Sequence, residues 1–184
     1  SEITANECRK FLGRPVDVVT PNGFENSFTP SGEEYPQKRA EARERLIGVA
    51  SAMSGETVPE DSILVCIGGR YEWKNKGIDV FIDALDSLNR SDYEGPSIQA
   101  FIMIPSGHNG PDKALVARLA GEKSDYRTMT SHVLMNPEYD NVTRRLRELG
   151  LDNGPECKVK VYFIPSYLNG NDGILNMPYY DLLN

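Results

Sequence analysis

The ten residues from 68 to 77 carry the side chains best suited to bind an anion, in the order GGRYEWKNKG. They lie between an apolar run of strand length, residues 63–67, and a stretch with helical spacing. In open α/β sheets, ligands bind just outside the carboxyl ends of the strands. Arg70 offers a planar fork that suits a phosphate group, Lys76 offers a compact point charge, and Gly69 lets the backbone approach a ligand closely. The segment therefore predicts a candidate site for an anionic ligand.

The same segment has other interpretations that the residues alone leave open. It matches neither the GxGxxG fingerprint of dinucleotide-binding folds nor the GxxxxGK[ST] pattern of a phosphate-binding loop. The alternative is that Arg70 and Lys76 are solvated loop charges, or that they pair with Glu72 and Asp79. Trp73 is interpreted as an aromatic residue that anchors the loop rather than as a stacking platform.

Composition narrows the class of protein. The chain has 184 residues, of which 39% are hydrophobic and 26% are charged, and this is typical of a globular domain. Its formal net charge of −7 argues against binding to nucleic acid, because phosphate contacts need a basic face. Since no apolar run approaches the roughly 20 residues of a membrane span, we expect no membrane association.

Cysteine and histidine usage argues against a disulfide framework and against a metal site. The three cysteines are widely spaced and form no CxxC pair, and the chain has only two histidines: Cys8, Cys66, Cys157, His108 and His132. No role is assigned to either histidine. A reducing cytoplasm is the compartment that fits this usage best.

The order of periodic segments predicts an α/β fold. Residues 63–67 are a continuous apolar run of strand length, which suits a parallel strand that is buried on both faces. Two further largely apolar stretches predict a second buried strand at 98–104 and a third strand at 159–164. A further short strand is predicted at 16–19. Helical spacing predicts helices at 1–14, at 37–54, from Asn75 onwards and from Tyr179 onwards. Residues 107–150, between the second and third apolar runs, predict a mostly helical insertion.

Several stretches resemble the glycogen (starch) synthases of animals and fungi, in the order in which that family has them. The candidate segment and the helix after it read GGRYEWKNKGIDVFIDAL. Ahead of it, SEITANEC and VDVVTPNGF resemble the passage from the family's first domain to its second. After it, IQAFIMIPS, VKVYFIPSYLNG and PYYDLL resemble the next strands and helix. The resemblance covers essentially the whole chain and is weakest at about 107–150, where this chain is shorter.

That family consists of retaining glycosyltransferases with two Rossmann-like domains that face a cleft, the GT-B arrangement. The resemblance implies that residues 1–23 cross from the first domain. It implies that residues 24–184 form part of the second, a Rossmann-like three-layer α/β/α fold with a parallel sheet. The expected reaction moves glucose from UDP-glucose to the non-reducing end of an α-1,4-glucan such as glycogen.

The resemblance also assigns site residues. It implies that Arg70 and Lys76 hold the diphosphate of UDP-glucose and act in catalysis. Two fixed cations stabilise the negative charge on the departing diphosphate more in the transition state than in the ground state. Gly69 and Tyr167 are expected to bind the substrate, with Tyr167 near the nucleotide base. No cofactor and no metal are expected, and UDP rather than ADP rests on the resemblance only.

Two alternatives to this function stay open. One is another retaining transferase of the same two-domain architecture with a different sugar nucleotide. The other is a subunit-assembly module, in which apolar residues of the insertion such as Leu115 and Val142 dock subunits. The related enzymes lead us to expect a homo-oligomer.

Measured against the family, the sequence predicts an incomplete enzyme that carries one side of the donor site and is inactive alone. The strand at 63–67 belongs at the centre of such a sheet, and its neighbour on one side is not found in the sequence. We therefore expect an exposed apolar edge, which either pairs with another copy or is shielded by the N-terminal segment.

Overall fold

The computed structural model describes residues 1–184, which form two compact units, Ser1–Pro30 and Ser31–Asn184. The α-helices are α1 (Glu2–Leu12), α2 (Glu34–Ser54), α3 (Ile78–Arg90), α4 (Lys113–Leu119), α5 (Asn141–Leu149) and α6 (Tyr179–Leu182). The strands are β1 (Ile63–Gly68), β2 (Ile98–Met103), β3 (His108–Pro111), β4 (His132–Leu134) and β5 (Val159–Ile164). No helix combines the length and the apolar character that crossing a membrane requires.

The first unit contains α1 and a single 3-10 turn, Asn26–Phe28. The Ser1 hydroxyl caps the start of α1, and Gly13 ends the helix in the left-handed conformation at φ 67°. The predicted N-terminal helix is thus confirmed. The strand predicted at residues 16–19 is wrong, because these residues pair with no neighbouring strand and a strand needs such a partner for its backbone groups.

The second unit is built on a parallel sheet in the order β1-β2-β5. Ile63 is in register with Ile98, and Ile98 with Val159. All three predicted apolar strands and the parallel α/β fold are confirmed. The order matches one half of a Rossmann-like sheet, in which successive strands are added on one side.

Two hydrophobic cores lie on opposite faces of this sheet and make the fold three-layered. Alternate side chains of β2 point to opposite faces, so Phe101 and Met103 join one core while Ala100 and Ile102 join the other. The first core packs against α2, α4 and α6, and the second packs against α3 and α5. The Rossmann-like α/β/α architecture is therefore present in residues 31–184.

The helix after β1 begins later than the sequence predicted. It starts at Ile78 rather than near Asn75, and Gly77 precedes it in the left-handed conformation at φ 66°. The backbone N–H of Gly77 donates to the carbonyl of Lys74 at 3.0 Å, and that of Ile78 to the carbonyl of Trp73 at 3.2 Å. These bonds close a turn, which keeps the lysines of this segment out of the helix.

The insertion between β2 and β5 is less helical than predicted. Only α4 and α5 are helical, and the antiparallel strands β3 and β4 pair its two halves, with His108 opposite Leu134. β3 has four residues and β4 has three, too few for the alternation of apolar and polar residues that would identify a strand in the sequence. Leu115 and Val142 are fully buried, one in each core, so neither is available for the subunit contact that the assembly alternative requires of them.

The two edges of the parallel sheet differ. The free edge of β5 is covered: the Asn153 side chain donates to the Val161 carbonyl at 2.8 Å and accepts from its N–H at 2.6 Å, and the Phe163 N–H donates to Met129. β1 pairs only with β2, and Ile63 is 42% exposed. β1 is thus only partly buried, and the exposed apolar edge expected of this strand is present. Self-association through it stays a prediction.

Candidate functional site

A cavity of about 440 Å³ opens at the carboxyl ends of the parallel strands. The last residue of β2 and residues that follow β1, β2 and β5 line it, and α6 contributes Tyr179. The lining residues are Gly69, Arg70, Tyr71, Met103, Pro105, Ser166, Tyr167, Leu168, Asn169 and Tyr179. The cavity occupies the position where open α/β sheets bind their ligands. Its wall is mostly apolar, with Arg70 as its only charged group.

Two glycines make the turn from β1 into the cavity possible. Gly69 has φ 142°, a backbone conformation that other residues rarely adopt, and this turn directs the chain towards the cavity. Gly68 lies against the side chain of Tyr179, so closely that an added Cβ would overlap the tyrosine hydroxyl. Gly69 thus has a conformational role and Gly68 a packing role, whereas the close approach of a ligand that the sequence predicts for Gly69 stays a prediction.

Arg70 lies at the cavity, as the sequence predicted, and is held by a single weak ion pair. Its Nη2 atom lies 3.0 Å from Glu72 Oε1, and its side chain is 79% exposed. Exposed ion pairs of this kind contribute only about 0–1 kcal/mol, so an anionic ligand can take over the guanidinium at small cost. The pairing of Arg70 with Glu72, which the sequence left open, is formed.

Lys76 is not brought to the same cavity. It is exposed in the turn before α3 and does not line the cavity, so the structure does not place the two predicted cations together. The alternative pairing of a cation with Asp79 is made by Lys74, whose Nζ lies 2.6 Å from Asp79 Oδ2. The hydrogen bond from Lys74 holds the pKa of the Asp79 carboxyl below its usual value.

Tyr167 lies in the cavity wall, with 76% of its surface exposed. The loop that carries it is closed behind it, because the Tyr179 N–H donates to the Leu168 carbonyl at 2.9 Å and Asn169 forms a bridge with Pro178. Sequence reasoning missed Tyr179 and Asn169 as lining residues. No local pattern signals them, since only the return of the chain at α6 brings Tyr179 to the end of β1.

The aromatic residues of the segment after β1 are partly buried. Trp73 is partly buried and packs against the core between the sheet, α3 and α5, the anchoring position that the sequence favoured. The ring of Tyr71 makes an edge contact with Phe163, with 6.2 Å between the ring centroids. These contacts hold the segment against the second core.

The histidines lie elsewhere, in the β3–β4 pair. The rings of His108 and His132 are 4.5 Å apart between centroids, and burial lowers the pKa of His132 below its ordinary value. No group of three or more histidine, cysteine or acidic side chains lies together in a way that could hold a metal ion.

A Gly68→Ala substitution is expected to disturb the cavity without unfolding the protein. The new methyl group would overlap the Tyr179 hydroxyl and push that side chain away from the end of β1. Overpacking of this kind costs about 1–3 kcal/mol. We expect a lower unfolding midpoint and a change in tyrosine near-ultraviolet dichroism. Gly48→Ala, in the middle of α2 with open space around the new methyl group, is the control and should not be destabilising. An unchanged midpoint and spectrum in Gly68→Ala would contradict the packing.

Comparison with known proteins identifies the family. Residues 1–113 match the family model described as Glycogen synthase. The chain belongs to the glycogen synthase family. The matched region runs through β1, the Arg70 segment, α3 and β2, and ends at the first residue of α4. The match to the family model therefore ends within the insertion, residues 107–150, where the resemblance to the family is weakest.

Similarity to individual glycogen synthases extends over nearly the whole chain. The "Glycogen [starch] synthase isoform 2" of Saccharomyces cerevisiae is 25% identical, and the alignment covers 97% of this chain and 35% of that protein. The "Glycogen [starch] synthase, liver" of Homo sapiens is also 25% identical, over 97% of this chain and 33% of its own length. The Neurospora crassa "Glycogen [starch] synthase" is 23% identical, over 100% of this chain and 34% of its length.

The chain thus spans about a third of the length of the curated glycogen synthases that it matches. The yeast alignment extends over 245 positions although this chain has 184 residues, so the yeast protein contains segments that this family member lacks.

Proposed function

We propose that this chain forms one side of the sugar-nucleotide site of a retaining glucosyltransferase, which moves glucose from UDP-glucose to the non-reducing end of an α-1,4-glucan. One observation carries the proposal. In a member of the glycogen synthase family, Arg70 lies at a cavity that the carboxyl ends of parallel strands form. Neither the family nor the cavity alone identifies the donor.

The composition of the cavity supports a nucleotide with a charged end. Met103, Pro105 and Leu168 provide an apolar wall, and the exposed ring of Tyr167 stands beside it. Such a wall suits a base and a sugar, whereas the guanidinium of Arg70 suits a phosphate. Transfer of the glucosyl group leaves negative charge on the departing diphosphate, and a cation fixed beside it stabilises the transition state more than the bound donor.

Lys76 fits this proposal only in a different arrangement of its loop. It is exposed and does not line the cavity, so the proposal requires the turn before α3 to move when a diphosphate extends past Arg70. We propose that Gly69 approaches the ligand through its backbone and that Tyr167 borders the base. The alternative of a different sugar nucleotide concerns the base and the sugar, which Arg70 does not discriminate.

Calorimetric titration of the chain with UDP, UDP-glucose, ADP and uridine tests the proposal. Binding is measured rather than turnover, because the chain spans about a third of its relatives. We expect saturable binding of UDP and UDP-glucose with dissociation constants of about 1 mM or lower, and binding of uridine at least about tenfold weaker, since it lacks the phosphates that Arg70 would bind. Absence of saturable UDP binding would contradict the donor site, and preference for ADP would favour the alternative donor.

A further inference from the structure

Tyr71 connects the loop that carries Arg70 to the insertion. Its hydroxyl group donates to Asp140 Oδ2 at 2.7 Å and accepts from the backbone N–H of Val142 at 3.1 Å. Asp140 and Val142 lie at the start of α5, about 70 residues further along the chain. The two ends of this contact therefore belong to different parts of the fold: the loop after β1, and the insertion before β5.

Both carboxylate oxygens of Asp140 have a hydrogen-bond partner, and these bonds fix the orientation of the side chain. Its second oxygen, Oδ1, accepts from the backbone N–H of Thr143 at 2.9 Å, and the residue caps the N-terminus of α5. Two N–H groups in the first turn of α5 are thus satisfied, that of Thr143 by Asp140 and that of Val142 by Tyr71. Because both carboxylate oxygens and both hydroxyl functions are used, neither side chain can rotate without losing a bond.

Burial strengthens this connection. Asp140 is only 8% exposed, and the Tyr71 ring packs against Phe163 of β5. Burial also raises the pKa of the Tyr71 hydroxyl well above its ordinary value, which extends the pH range over which it can donate further into the alkaline. A hydrogen bond from a protonated hydroxyl to a buried carboxylate is stronger than one between neutral groups in water.

Tyr71 occupies a boundary between two cavities. It lines the Arg70 cavity and also a neighbouring groove of about 350 Å³ that Trp73, Asp140 and residues of β4 and the following turn border. Its backbone is covalently joined to Arg70, whose own side chain has only the exposed pair with Glu72. The position of Arg70 therefore depends on how firmly Tyr71 is held.

The geometry assigns Tyr71 and Asp140 as positioning residues: their hydrogen bond holds residues 69–77, here called the site loop, against the start of α5 and so keeps Arg70 at the cavity. The assignment rests on the proposed function for what Arg70 is positioned to bind. It gives the insertion a part in the nucleotide site, although α5 does not line the cavity. Tyr71 itself lines the cavity, but its hydroxyl group is bonded to Asp140 and Val142, and the assignment concerns this hydroxyl group rather than a contact with the ligand.

Two variants remove the hydrogen bond in different ways. Tyr71→Phe deletes the hydroxyl and keeps the ring that contacts Phe163. Asp140→Asn keeps an oxygen that caps Thr143 and replaces the one that receives the Tyr71 hydroxyl. Tyr93→Phe is the matched control, because it deletes a tyrosine hydroxyl that donates to the Pro96 carbonyl in an exposed turn.

Amide hydrogen exchange, which needs no ligand, is measured first, and UDP affinity second. We expect both site-loop variants to accelerate exchange in residues 69–77 about tenfold, with β2 and β5 unchanged, and to weaken UDP binding by a similar factor. The double variant should be no worse than Tyr71→Phe, because Tyr71→Phe already removes the bond to Asp140 together with the one from the Val142 N–H. Tyr93→Phe should change neither quantity.

The outcomes separate this assignment from the proposed function. Unchanged exchange in the site loop of both variants would overturn the positioning role of Tyr71 and Asp140. Additive effects in the double variant would also overturn it, and so would faster exchange spread evenly over the sheet. Accelerated exchange confined to the site loop, in a protein that fails to bind UDP, would uphold the positioning by Tyr71 and Asp140 and count against the nucleotide as the ligand.

Discussion

Replacement of Arg70 by alanine is expected to weaken UDP binding by about 10- to 100-fold while leaving the fold intact. Hydrogen bonds to charged groups contribute about 1.5–3 kcal/mol, and Arg70 is the only charged group that lines the cavity. The side chain is 79% exposed and makes one ion pair, so its removal should shift the unfolding midpoint little. Calorimetric titration with UDP, alongside a thermal scan, gives both quantities.

Arg90→Ala is the matched control for this substitution. Arg90 is also an exposed arginine with one carboxylate partner, Asp86 at 2.8 Å, but it lies in the last turn of α3. We expect its removal to leave UDP affinity within about twofold. If Arg70→Ala and Arg90→Ala had equal effects, Arg70 would have no special part in binding.

Lys76→Ala, measured in the same series, tests the second cation. A loss of UDP affinity comparable to that of Arg70→Ala would show that Lys76 reaches the ligand although it lies outside the cavity of the unliganded protein. Unchanged affinity would restrict the anion site to Arg70 and remove Lys76 from it.

Replacement of Leu115 by alanine is expected to destabilise the protein by about 2–5 kcal/mol, the range for large-to-small substitutions in a core. Leu115 in α4 is fully buried and belongs to the core that also contains Phe101 and Met53. Truncation would leave a cavity between α4, α2 and the sheet. The free energy of unfolding, from urea denaturation followed by circular dichroism, measures the effect.

Leu119→Ala provides a control within the same helix. Leu119 is one turn away and 37% exposed, so we expect a loss well below that of Leu115→Ala. Equal destabilisation by the two substitutions would contradict the burial of Leu115. Sedimentation of the folded fraction separates packing from assembly, because an internal residue changes stability and leaves the oligomeric state unchanged.

Much of the fold could be predicted from the sequence because its signals are local. The three parallel strands are apolar stretches, continuous in β1 and interrupted by one polar residue in β2 and one in β5, and the structure has them within one residue of the predicted ends. The ends of α1 and α2 at Gly13 and Gly55 follow from glycine in the left-handed conformation. These features depend on neighbouring residues only, so periodicity and end signals suffice to find them.

The predicted features that failed depend on distant partners. The strand expected at 16–19 has the right residue types but no neighbour to pair with. The β3–β4 pair, which sequence reasoning missed, exists because residues 108–111 and 132–134 meet after an intervening helix. The alternative in which Leu115 and Val142 dock subunits fails because both are buried: the sequence shows that a helix has an apolar face but not whether another element of the chain covers it.

The sequence by itself determined the parallel α/β fold, the position of the anion-binding candidate after the first strand of the sheet, and the glycine that its turn requires. Only the tertiary structure decided which charged side chains of this segment pair with one another. Arg70 lines the cavity and pairs with Glu72, and Lys74 rather than Lys76 pairs with Asp79. It also decided that Tyr179 from α6 and Asp140 from the insertion reach this end of the sheet. The physical reason is that strand and turn preferences are properties of a few adjacent residues, whereas the neighbours of a side chain depend on how distant segments pack.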